Sequence, residues 1–252
     1  MPDFTVVIPV RVDSIVRLEN LLAVTDYLLA NFTGIHVVVM EAARHNNHVL
    51  ERMLPNLVAH HFVKDLDPVF YRTKYINELV KKVTTPYLGV WDTDVVFPPH
   101  QVWEALNALR SSECDVSFPY DGVFLDTGGI IRQMYIETGD LNVLTELKGL
   151  MSLLYGDDMR GGAFLANTRK YREAGMENLN FYGWGPEDWE RVERWKALGY
   201  RLKTVPGNLY HLSHPRDLNG RHNSDDQQRV STYQKDITCF SSAEEIKQRL
   251  HL

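Results

Sequence analysis

Short apolar runs alternate with amphipathic stretches through the first half of the chain. Runs rich in β-branched residues predict strands at 4–8, 36–41, 58–63 and 87–91. Pro9 is expected to end the first strand, and Asp13 or Ser14 can cap the helix that follows. Apolar residues at helical spacing predict helices at 15–32, 71–83 and 101–109. This alternation of strands and helices is typical of a parallel, Rossmann-like sheet.

The second half of the chain has a less regular pattern. Short strands are predicted at 115–119, 122–126, 163–166, 201–205 and 208–212. Residues 127–129 are expected to form a turn, and the polar stretch 217–229 a mobile loop. A further helix is predicted over 141–154, and a short one after a cap at Thr168. Another is predicted to begin with Pro186 as its first residue and to end at a Gly199 cap. The last helix is predicted to follow a capping box at 241–244.

Composition excludes several classes of protein. Of the 252 residues 44% are hydrophobic, which is enough for a folded core. The net charge of −6 argues against a nucleic-acid binder, which normally carries a basic face. Two cysteines, Cys114 and Cys239, imply neither a disulfide framework nor a cysteine metal site. No leader or spanning run precedes the strand at Phe4, so we expect a cytoplasmic protein, either free or peripheral at the inner membrane surface.

Asp92 and Asp94 interrupt an apolar run, 87–99, at its predicted strand end. Open α/β sheets bind their ligands at the carboxyl ends of the strands. One or two carboxylates, with phosphate and water completing the shell, usually hold a hard divalent cation. The pattern therefore indicates a metal that binds a phosphorylated substrate. Asp-x-Asp also occurs in ordinary turns, so the motif alone does not decide between the two interpretations.

Glu187 and Asp188 fall in the first turn of a predicted helix. The helix dipole stabilises acids there without any function, and it also keeps their carboxylates ionised. The preceding segment, 181–185, is rich in aromatic residues and glycine, which suits stacking on the faces of a sugar and close approach of the backbone. An ionised acid beside such an aromatic segment could act as a general base on a hydroxyl group.

Two histidines three residues apart, His211 and His214, could bind a metal, since imidazole is a common ligand of transition metals. Ten histidines occur in the chain, and most are expected to be structural; 60–61, for example, reads as part of a strand. Arg11, Arg72 and Lys74 stand at element boundaries, where each could bind phosphate or a base or remain a solvated charge.

Several other active sites have no support in the sequence. Gly-x-Gly-x-x-Gly is missing after the first strand, and no Gly-x-x-x-x-Gly-Lys-Ser/Thr occurs, which argues against a dinucleotide fold or a P-loop. No Gly-x-Ser-x-Gly elbow or Ser-His-Asp order supports a serine hydrolase.

Six short motifs follow one another along the chain. They are Ile-Pro-Val-Arg at 8–11, Phe-Tyr-Arg-Thr-Lys at 70–74, Asp-Thr-Asp at 92–94, Gly-Gly at 161–162, Gly-Trp-Gly-Pro-Glu-Asp at 183–188, and His-Leu-Ser-His-Pro-Arg-Asp at 211–217. In this order, over about the first 217 residues, the chain resembles the β-1,4-galactosyltransferase type of GT-A glycosyltransferase. The most specific pair of motifs is the Gly-Trp-Gly block together with Asp-x-Asp.

The resemblance implies a metal site and a base. The second acid of Asp-x-Asp, Asp94, and the histidine before Arg-Asp, His214, correspond to metal ligands. His211 stands where the family has a methionine ligand, and imidazole suits Mn²⁺ or Mg²⁺ better than a thioether does. Asp188 corresponds to the base that acts on the acceptor hydroxyl. The family usually has another acid next, where this chain has Trp189.

The resemblance also implies substrate contacts. The residues expected to bind the nucleotide-sugar are Pro9, Arg11, Glu41, Phe70, Arg72, Asp92 and Trp184, with Glu41 at the uridine and Asp92 at the ribose, the sugar or a metal-bound water. Trp184 is also expected to contact the acceptor, together with Tyr182, Gly185 and Glu187. The family's Golgi members have a membrane anchor, so this chain looks more like a bacterial-type relative without one.

The sequence therefore predicts an α/β protein with the GT-A fold, a Rossmann-like nucleotide-diphospho-sugar transferase with a mostly parallel central sheet. We expect one domain, with a nucleotide-binding half at 1–99, an acceptor and catalytic half at 100–217, and a mobile loop with C-terminal helices at 218–252. The expected function is inverting transfer of a hexose or N-acetylhexosamine from a UDP-sugar to a saccharide or glycan acceptor, with Mn²⁺ or Mg²⁺. A sugar nucleotidyltransferase and a non-catalytic carbohydrate-binding relative remain as alternatives.

Overall fold

The computed structural model describes residues 1–156, 158–215 and 220–252. Its strands are β1 (Phe4–Val10), β2 (His36–Ala43), β3 (Val58–Lys64), β4 (Tyr87–Trp91), β5 (Val95–Val96), β6 (Val116–Phe118), β7 (Phe124–Asp126), β8 (Ser152–Leu153), β9 (Ala163–Asn167), β10 (Leu202–Thr204) and β11 (Leu209–His211). Its helices are α1 (Ile15–Asn31), α2 (Val49–Met53), α3 (Arg72–Lys82), α4 (Pro99–Arg110), α5 (Gly128–Thr138), α6 (Leu141–Glu146), α7 (Thr168–Glu173), α8 (Glu187–Ala197), α9 (Asp225–Phe240) and α10 (Ala243–Leu250).

The larger sheet has seven strands in the order β10-β6-β9-β4-β1-β2-β3. Its strand pairs are parallel except where β9 runs antiparallel to β4 and β6. Helices flank this sheet, and the buried apolar residues of its central strands form the core. The predicted fold class, a mixed α/β fold with a mostly parallel central sheet, is confirmed.

A smaller sheet with the order β5-β11-β7-β8 lies beside the first. β4 ends at Trp91 in the larger sheet, and β5 begins at Val95 in the smaller one. The intervening turn, 92–94, therefore joins the two sheets, and β11 pairs with β5 directly beyond that turn. This topology places the Asp-x-Asp turn and the histidine segment next to each other.

The first strand is fully buried over its whole length and extends two residues beyond its predicted end. The prediction that Pro9 ends the strand is wrong. β1 pairs with β4 only as far as Val7, whereas its pairing with β2 continues to Val10. Pro9 lacks an N–H donor, and it lies where only one neighbouring strand is present, so a missing donor is tolerated there.

Two predicted elements between β7 and β9 are wrong. Residues 127–129 do not form a separate turn, because α5 begins at Gly128 and buries Ile131 and Tyr135 against the core. The predicted helix over 141–154 ends at Glu146; a short 3-10 turn follows, and Leu153 then pairs with Leu125 in the smaller sheet. In both cases tertiary packing overrides the local pattern.

The C-terminal region departs most from the prediction. Of the predicted mobile loop, 217–229, residues 225–229 lie in α9, and 217–219 fall outside the described residues. Ser224 caps α9, and two acids in its first turn are favoured by the helix dipole, so a polar segment forms a stable helix. The capping box of α10 uses Ser242 and Glu245, one residue later than predicted. Helix α2 is not predicted at all.

Two further helix starts also shift by one residue. Pro186 is the N-cap of α8 and not its first helical residue. Asn167, not Thr168, caps α7, because its side chain accepts a hydrogen bond from the Lys170 amide. Such shifts leave the buried faces of the helices unchanged.

Gly89 in the centre of β4 provides a test of core packing. A Cβ atom at this position would lie 2.9 Å from Phe4 Cζ and 3.3 Å from Val6 Cγ2. We expect Gly89→Ala to lower the free energy of unfolding by about 1–3 kcal/mol, because a packed core accommodates an added methyl poorly. The control is Gly149→Ala, where a Cβ atom would meet nothing within 4 Å. Urea denaturation that finds equal stabilities for the two variants would contradict this packing.

Candidate functional site

A cavity of about 550 Å³ opens at the carboxyl ends of β1 and β4. Most of the predicted site residues line it. Those from the first half of the chain are Pro9, Arg11, Phe70, Arg72, Asp92 and Asp94. Those from the second half are Trp184, Gly185, Glu187, Asp188, His211 and His214. Residues far apart in the sequence thus converge on one pocket, at the sheet edge where open α/β folds bind ligands.

Two predicted contacts, Glu41 and Tyr182, do not line this cavity. Glu41 is buried within β2, and His60 Nε2 lies 3.2 Å from its Oε2 atom. Burial raises the pKa of Glu41, although the nearby imidazole opposes the rise. Tyr182 donates a hydrogen bond of 2.6 Å to Asp67 Oδ1. In the structure both residues therefore make intramolecular contacts outside the pocket.

Three potential ligands, Asp94, His211 and His214, form one cluster in which the ligand atoms lie within 4.8 Å of one another. The shortest separation is 3.1 Å, between His214 Nε2 and Asp94 Oδ2. His211 Nε2 lies 3.9 Å from Asp94 Oδ1. A carboxylate and two imidazoles with their Nε2 atoms turned to a common centre are a donor set that fits a divalent cation such as Mn²⁺.

The two rings are oriented by partners on their opposite nitrogens. His211 Nδ1 lies 2.7 Å from Asp126 Oδ1, and His214 Nδ1 lies 2.8 Å from the carbonyl of Pro215. Such contacts fix the tautomer that presents Nε2 to a metal. Asp126 is not predicted from the sequence, because only the pairing of β7 with β11 places it opposite His211.

The charge of the Asp94 carboxylate is strongly favoured. Burial alone would raise the pKa of Asp94, but the hydrogen bond with His214 and the nearby positive charges hold it well below its ordinary value. Its backbone is held as well, since the carbonyl of Asp94 accepts a hydrogen bond of 2.7 Å from the Leu212 amide. The turn that carries Asp94 is therefore hydrogen-bonded directly to the segment that carries the two histidines.

The other acid of the Asp-x-Asp turn has a different environment. Asp92 accepts two hydrogen bonds from Arg72, from Nε at 3.1 Å and from Nη2 at 2.5 Å. The same guanidinium approaches Glu187, with Nη1 3.9 Å from Oε1. Within the described residues, Arg72 Nη1 and Glu187 Oε2 are buried without a hydrogen-bond partner. Two residues that line the cavity therefore each have one buried polar atom without a hydrogen-bond partner.

Glu187 and Asp188 are adjacent, but their protonation differs. Burial and the negative charge of Asp188 raise the pKa of Glu187 to about 8, against the opposing effect of Arg72. Burial would also raise the pKa of Asp188, but Arg191 and Arg72 lower it below its ordinary value. Near neutral pH, Glu187 thus tends to keep its proton while Asp188 is an ionised carboxylate.

The Gly-Trp-Gly loop is held in place by the C-terminal helix α9. Gln227 Nε2 donates hydrogen bonds to the carbonyls of Tyr182 and Trp184, at 2.8 and 2.6 Å. The rings of Trp184 and His222 meet edge to face at 4.8 Å. Gly183 has a φ of +76°, a left-handed backbone conformation that would be strained for a residue with a side chain. The C-terminal region therefore forms one wall of the site.

The side chain of Arg11 makes several hydrogen bonds to the loop that precedes Phe70. Its guanidinium donates to the carbonyls of Ala42, Asp67 and Pro68, pairs with Asp65, and lies 5.5 Å from the centre of the Phe70 ring. These contacts use most of its donors. Arg11 thus positions Phe70 at the cavity, in addition to lining the cavity itself.

Several cavity residues have no signal in the sequence. They are Arg17, Tyr155, Met159, His222, Thr232 and Lys235. Arg17 lies beside the metal cluster, with Nη1 3.8 Å from Asp94 Oδ2. Thr232 and Lys235 reach the cavity from α9, whereas Tyr155, Met159 and His222 lie outside the helices and strands. Arg216, in the predicted His-Pro-Arg-Asp motif, lies outside the described residues.

Comparison with family models matches residues 152–216 to one described as the N-terminal domain of galactosyltransferase. The matched segment contains the Gly-Trp-Gly block and both cluster histidines. Comparison with curated proteins finds no matching sequence.

Solved structures with a similar fold include two glycosyltransferases. A mannosyltransferase from Pyrobaculum calidifontis, in complex with GDP-Man and Mn²⁺, matches with a TM-score of 0.57 and 15% identity, over 99% of this chain and 68% of that one. Glucosyl-3-phosphoglycerate synthase from Mycobacterium tuberculosis, in complex with Mn²⁺, UDP and phosphoglyceric acid, matches with a TM-score of 0.56 and 14% identity, over 94% and 78%. The predicted GT-A fold is confirmed.

Together, the family-model match and the fold support the predicted enzyme class, a nucleotide-sugar-dependent glycosyltransferase. The β-1,4-galactosyltransferase specificity stays a prediction. Among the described residues, no helix is long and apolar enough to cross a membrane.

Asp126 provides a test of the metal site. We expect Asp126→Ala to lower Mn²⁺ affinity by about 10–100-fold, because His211 loses the partner that orients its ring. Isothermal titration calorimetry measures the affinity, and thermal unfolding checks that the fold is kept. The control is Asp226→Ala, which removes an exposed carboxylate of α9 and should leave the affinity unchanged. Equal Mn²⁺ affinities for the two variants would show that Asp126 does not support the site.

Proposed function

We propose that this protein is a metal-dependent, inverting glycosyltransferase that moves a hexose or N-acetylhexosamine from a UDP-sugar to a saccharide hydroxyl. One observation carries the proposal. A three-residue donor set for a divalent cation and an ionised carboxylate, Asp188, line the same cavity. The first suits a nucleoside diphosphate, and the second suits an acceptor hydroxyl. Group transfer between the two requires both in one pocket.

Asp94, His211 and His214 would hold the cation. A divalent cation bound there supplies positive charge that stabilises the departing diphosphate. Asp126 and the Pro215 carbonyl orient the two imidazole rings for this role. Mn²⁺ accompanies GDP-Man and UDP in the two neighbouring structures, which supports a divalent metal and a nucleotide-sugar donor here.

Asp188 is proposed as the general base. Its Oδ1 atom accepts a hydrogen bond of 2.6 Å from Arg191 Nη2. Its Oδ2 atom points towards Gly161, where a Cβ atom would lie only 2.5 Å away. Glycine at that position leaves room for Oδ2, with which a side chain would collide, and the Asp188 side chain remains 25% exposed. A carboxylate with one fixed and one accessible oxygen can accept a proton from an acceptor hydroxyl as that oxygen attacks the anomeric carbon.

The remaining cavity residues fit recognition of the donor and the acceptor. Pro9, Arg11 and Phe70 line the end formed by β1 and would contact the nucleotide. Arg72 and Asp92 form one hydrogen-bonded unit that lines the cavity and would contact the donor. Trp184, Gly185 and protonated Glu187 would contact the acceptor. Glu41 and Tyr182 have no place in this proposal, because neither lines the cavity.

Two variants test the proposal by separating binding from chemistry. We expect Asp188→Asn to abolish transfer and still bind UDP in a metal-dependent way, because the amide cannot accept the proton. Asp94→Ala should lose the metal-dependent part of UDP binding, because one of the three ligands is removed. Calorimetry with and without Mn²⁺ and an assay of labelled-sugar transfer distinguish the two effects.

A control comes from Asp121, an acid in the loop before β7 that does not line the cavity. Asp121→Asn should leave both binding and transfer unchanged. Full transfer activity in Asp188→Asn would refute the assignment of the base. Unchanged metal-dependent UDP binding in Asp94→Ala would refute the metal site.

A further inference from the structure

A buried chain of charged groups leads from the proposed base into the protein core. Arg191 follows Asp188 by one turn of α8, and its side chain is 1% exposed. Its Nη2 atom donates to Asp188 Oδ1 at 2.6 Å, and its Nη1 atom donates to Glu177 Oε2 at 2.8 Å. One guanidinium therefore bridges a carboxylate at the cavity and a carboxylate in the interior.

Glu177 is itself held firmly. Its side chain is 1% exposed, and Oε1 accepts a hydrogen bond from the hydroxyl of Tyr171. Its backbone is fixed to α3, because Asn77 donates to the Glu177 carbonyl and accepts from the Glu177 amide, both at 2.9 Å. The carboxylate that anchors Arg191 thus has little freedom to move.

Aromatic rings enclose the guanidinium of Arg191. Its Cζ atom lies 4.3 Å from the centre of the Phe164 ring and 5.4 Å from that of Trp195. Both Nη atoms of this guanidinium are hydrogen-bonded and its face lies against aromatic rings, which restricts its orientation, although Nε has no hydrogen-bond partner among the described residues. Burying the Glu177 carboxylate and the Arg191 guanidinium is costly, so a contribution to stability is a weak explanation for this pair.

We infer that Arg191, anchored by Glu177, is a positioning residue that fixes the Asp188 carboxylate with Oδ2 directed to the acceptor and keeps it ionised. The inference rests on the proposed role of Asp188 as the base. Arg191 does not line the cavity. It acts through the geometry and the charge of Asp188.

The direction of the pH effect follows from the charges. Burial would raise the pKa of Asp188, but the guanidinium of Arg191, together with that of Arg72, lowers it, so the base stays deprotonated at lower pH. Removing the guanidinium should raise the pKa of Asp188. The acidic limb of the profile of kcat/KM against pH should then move to higher pH.

The test uses a charge-balanced pair of substitutions, Arg191→Met with Glu177→Gln. Removing both charges avoids an unpaired buried ion, which would threaten folding. We expect kcat to fall by about 100-fold, because a misplaced catalytic group costs a factor of this order. The affinity for UDP with Mn²⁺ should be unchanged, and the acidic limb should shift upwards.

A matched control exists on the same helix. Arg194 and Glu190 form an equally buried pair, with Arg194 Nε 3.1 Å from Glu190 Oε1, and neither residue lines the cavity. Arg194→Met with Glu190→Gln should leave kcat and the pH profile unchanged, whatever it does to stability.

Arg191→Lys carries the test if the double variant fails to fold. Lysine keeps the positive charge but lacks the fork that bridges two carboxylates, so kcat should fall while the acidic limb stays near its original pH. Suppose that Asp188→Asn is inactive, as proposed. The inference would then be overturned by a wild-type kcat in Arg191→Lys. A wild-type kcat and pH profile in the folded double variant would overturn it as well. Activity in Asp188→Asn would instead refute the proposed function.

Discussion

The pairing of β11 with β5 is the constraint on which the site depends. It places the His211 end of β11 against the start of β5, directly after the Asp-x-Asp turn, and the Leu212 amide donates to the carbonyl of Asp94. Asn20 of α1 in turn donates to the carbonyl of Leu212. A side-chain hydrogen bond from Asn20 and a main-chain hydrogen bond to Asp94 thus join three distant parts of the chain at Leu212. Of the proposed metal ligands, His211 therefore lies in the smaller sheet, while Asp94 and His214 lie directly beside its paired strands β5 and β11.

Charge alternation is the second organising feature of the site. Arg72 stands between Asp92 and Glu187, and Arg191 stands between Asp188 and Glu177. Each of these four carboxylates therefore has a guanidinium near it. The positions of the two arginines give neighbouring acids different properties, since Asp188 stays ionised while Glu187 tends to keep its proton. One segment of two acids can then offer a base and a hydrogen-bond donor to the same pocket.

The strands and helices of the first half follow closely from the sequence, because β-branched runs and amphipathic spacing agree with the tertiary structure there. The elements missed or misread, α2, α5, β8 and the start of α9, have weak local signals and are stabilised by packing. Residues that carry motifs, such as Asp94 and Asp188, could be singled out because their types and spacing suggest chemistry. Asp126 and Arg191 could not be singled out. Asp126 meets His211 only because of the strand register, and Arg191 meets its two carboxylate partners only through tertiary packing. Glu41 shows the converse: the sequence predicts it at a strand end, but β2 continues to Ala43 and Glu41 does not line the cavity.

Turnover of a nucleotide sugar tests the central claim most directly. The protein is incubated with UDP-galactose, UDP-N-acetylgalactosamine, UDP-glucose and UDP-N-acetylglucosamine, and UDP release is measured with Mn²⁺ or with a chelator. Slow hydrolysis of the donor requires no known acceptor. The account predicts UDP release from at least one of these donors with Mn²⁺, and loss of that release with the chelator and in Asp94→Ala. Metal-dependent binding of UDP with no release from any donor would contradict it and would indicate a non-catalytic carbohydrate-binding protein.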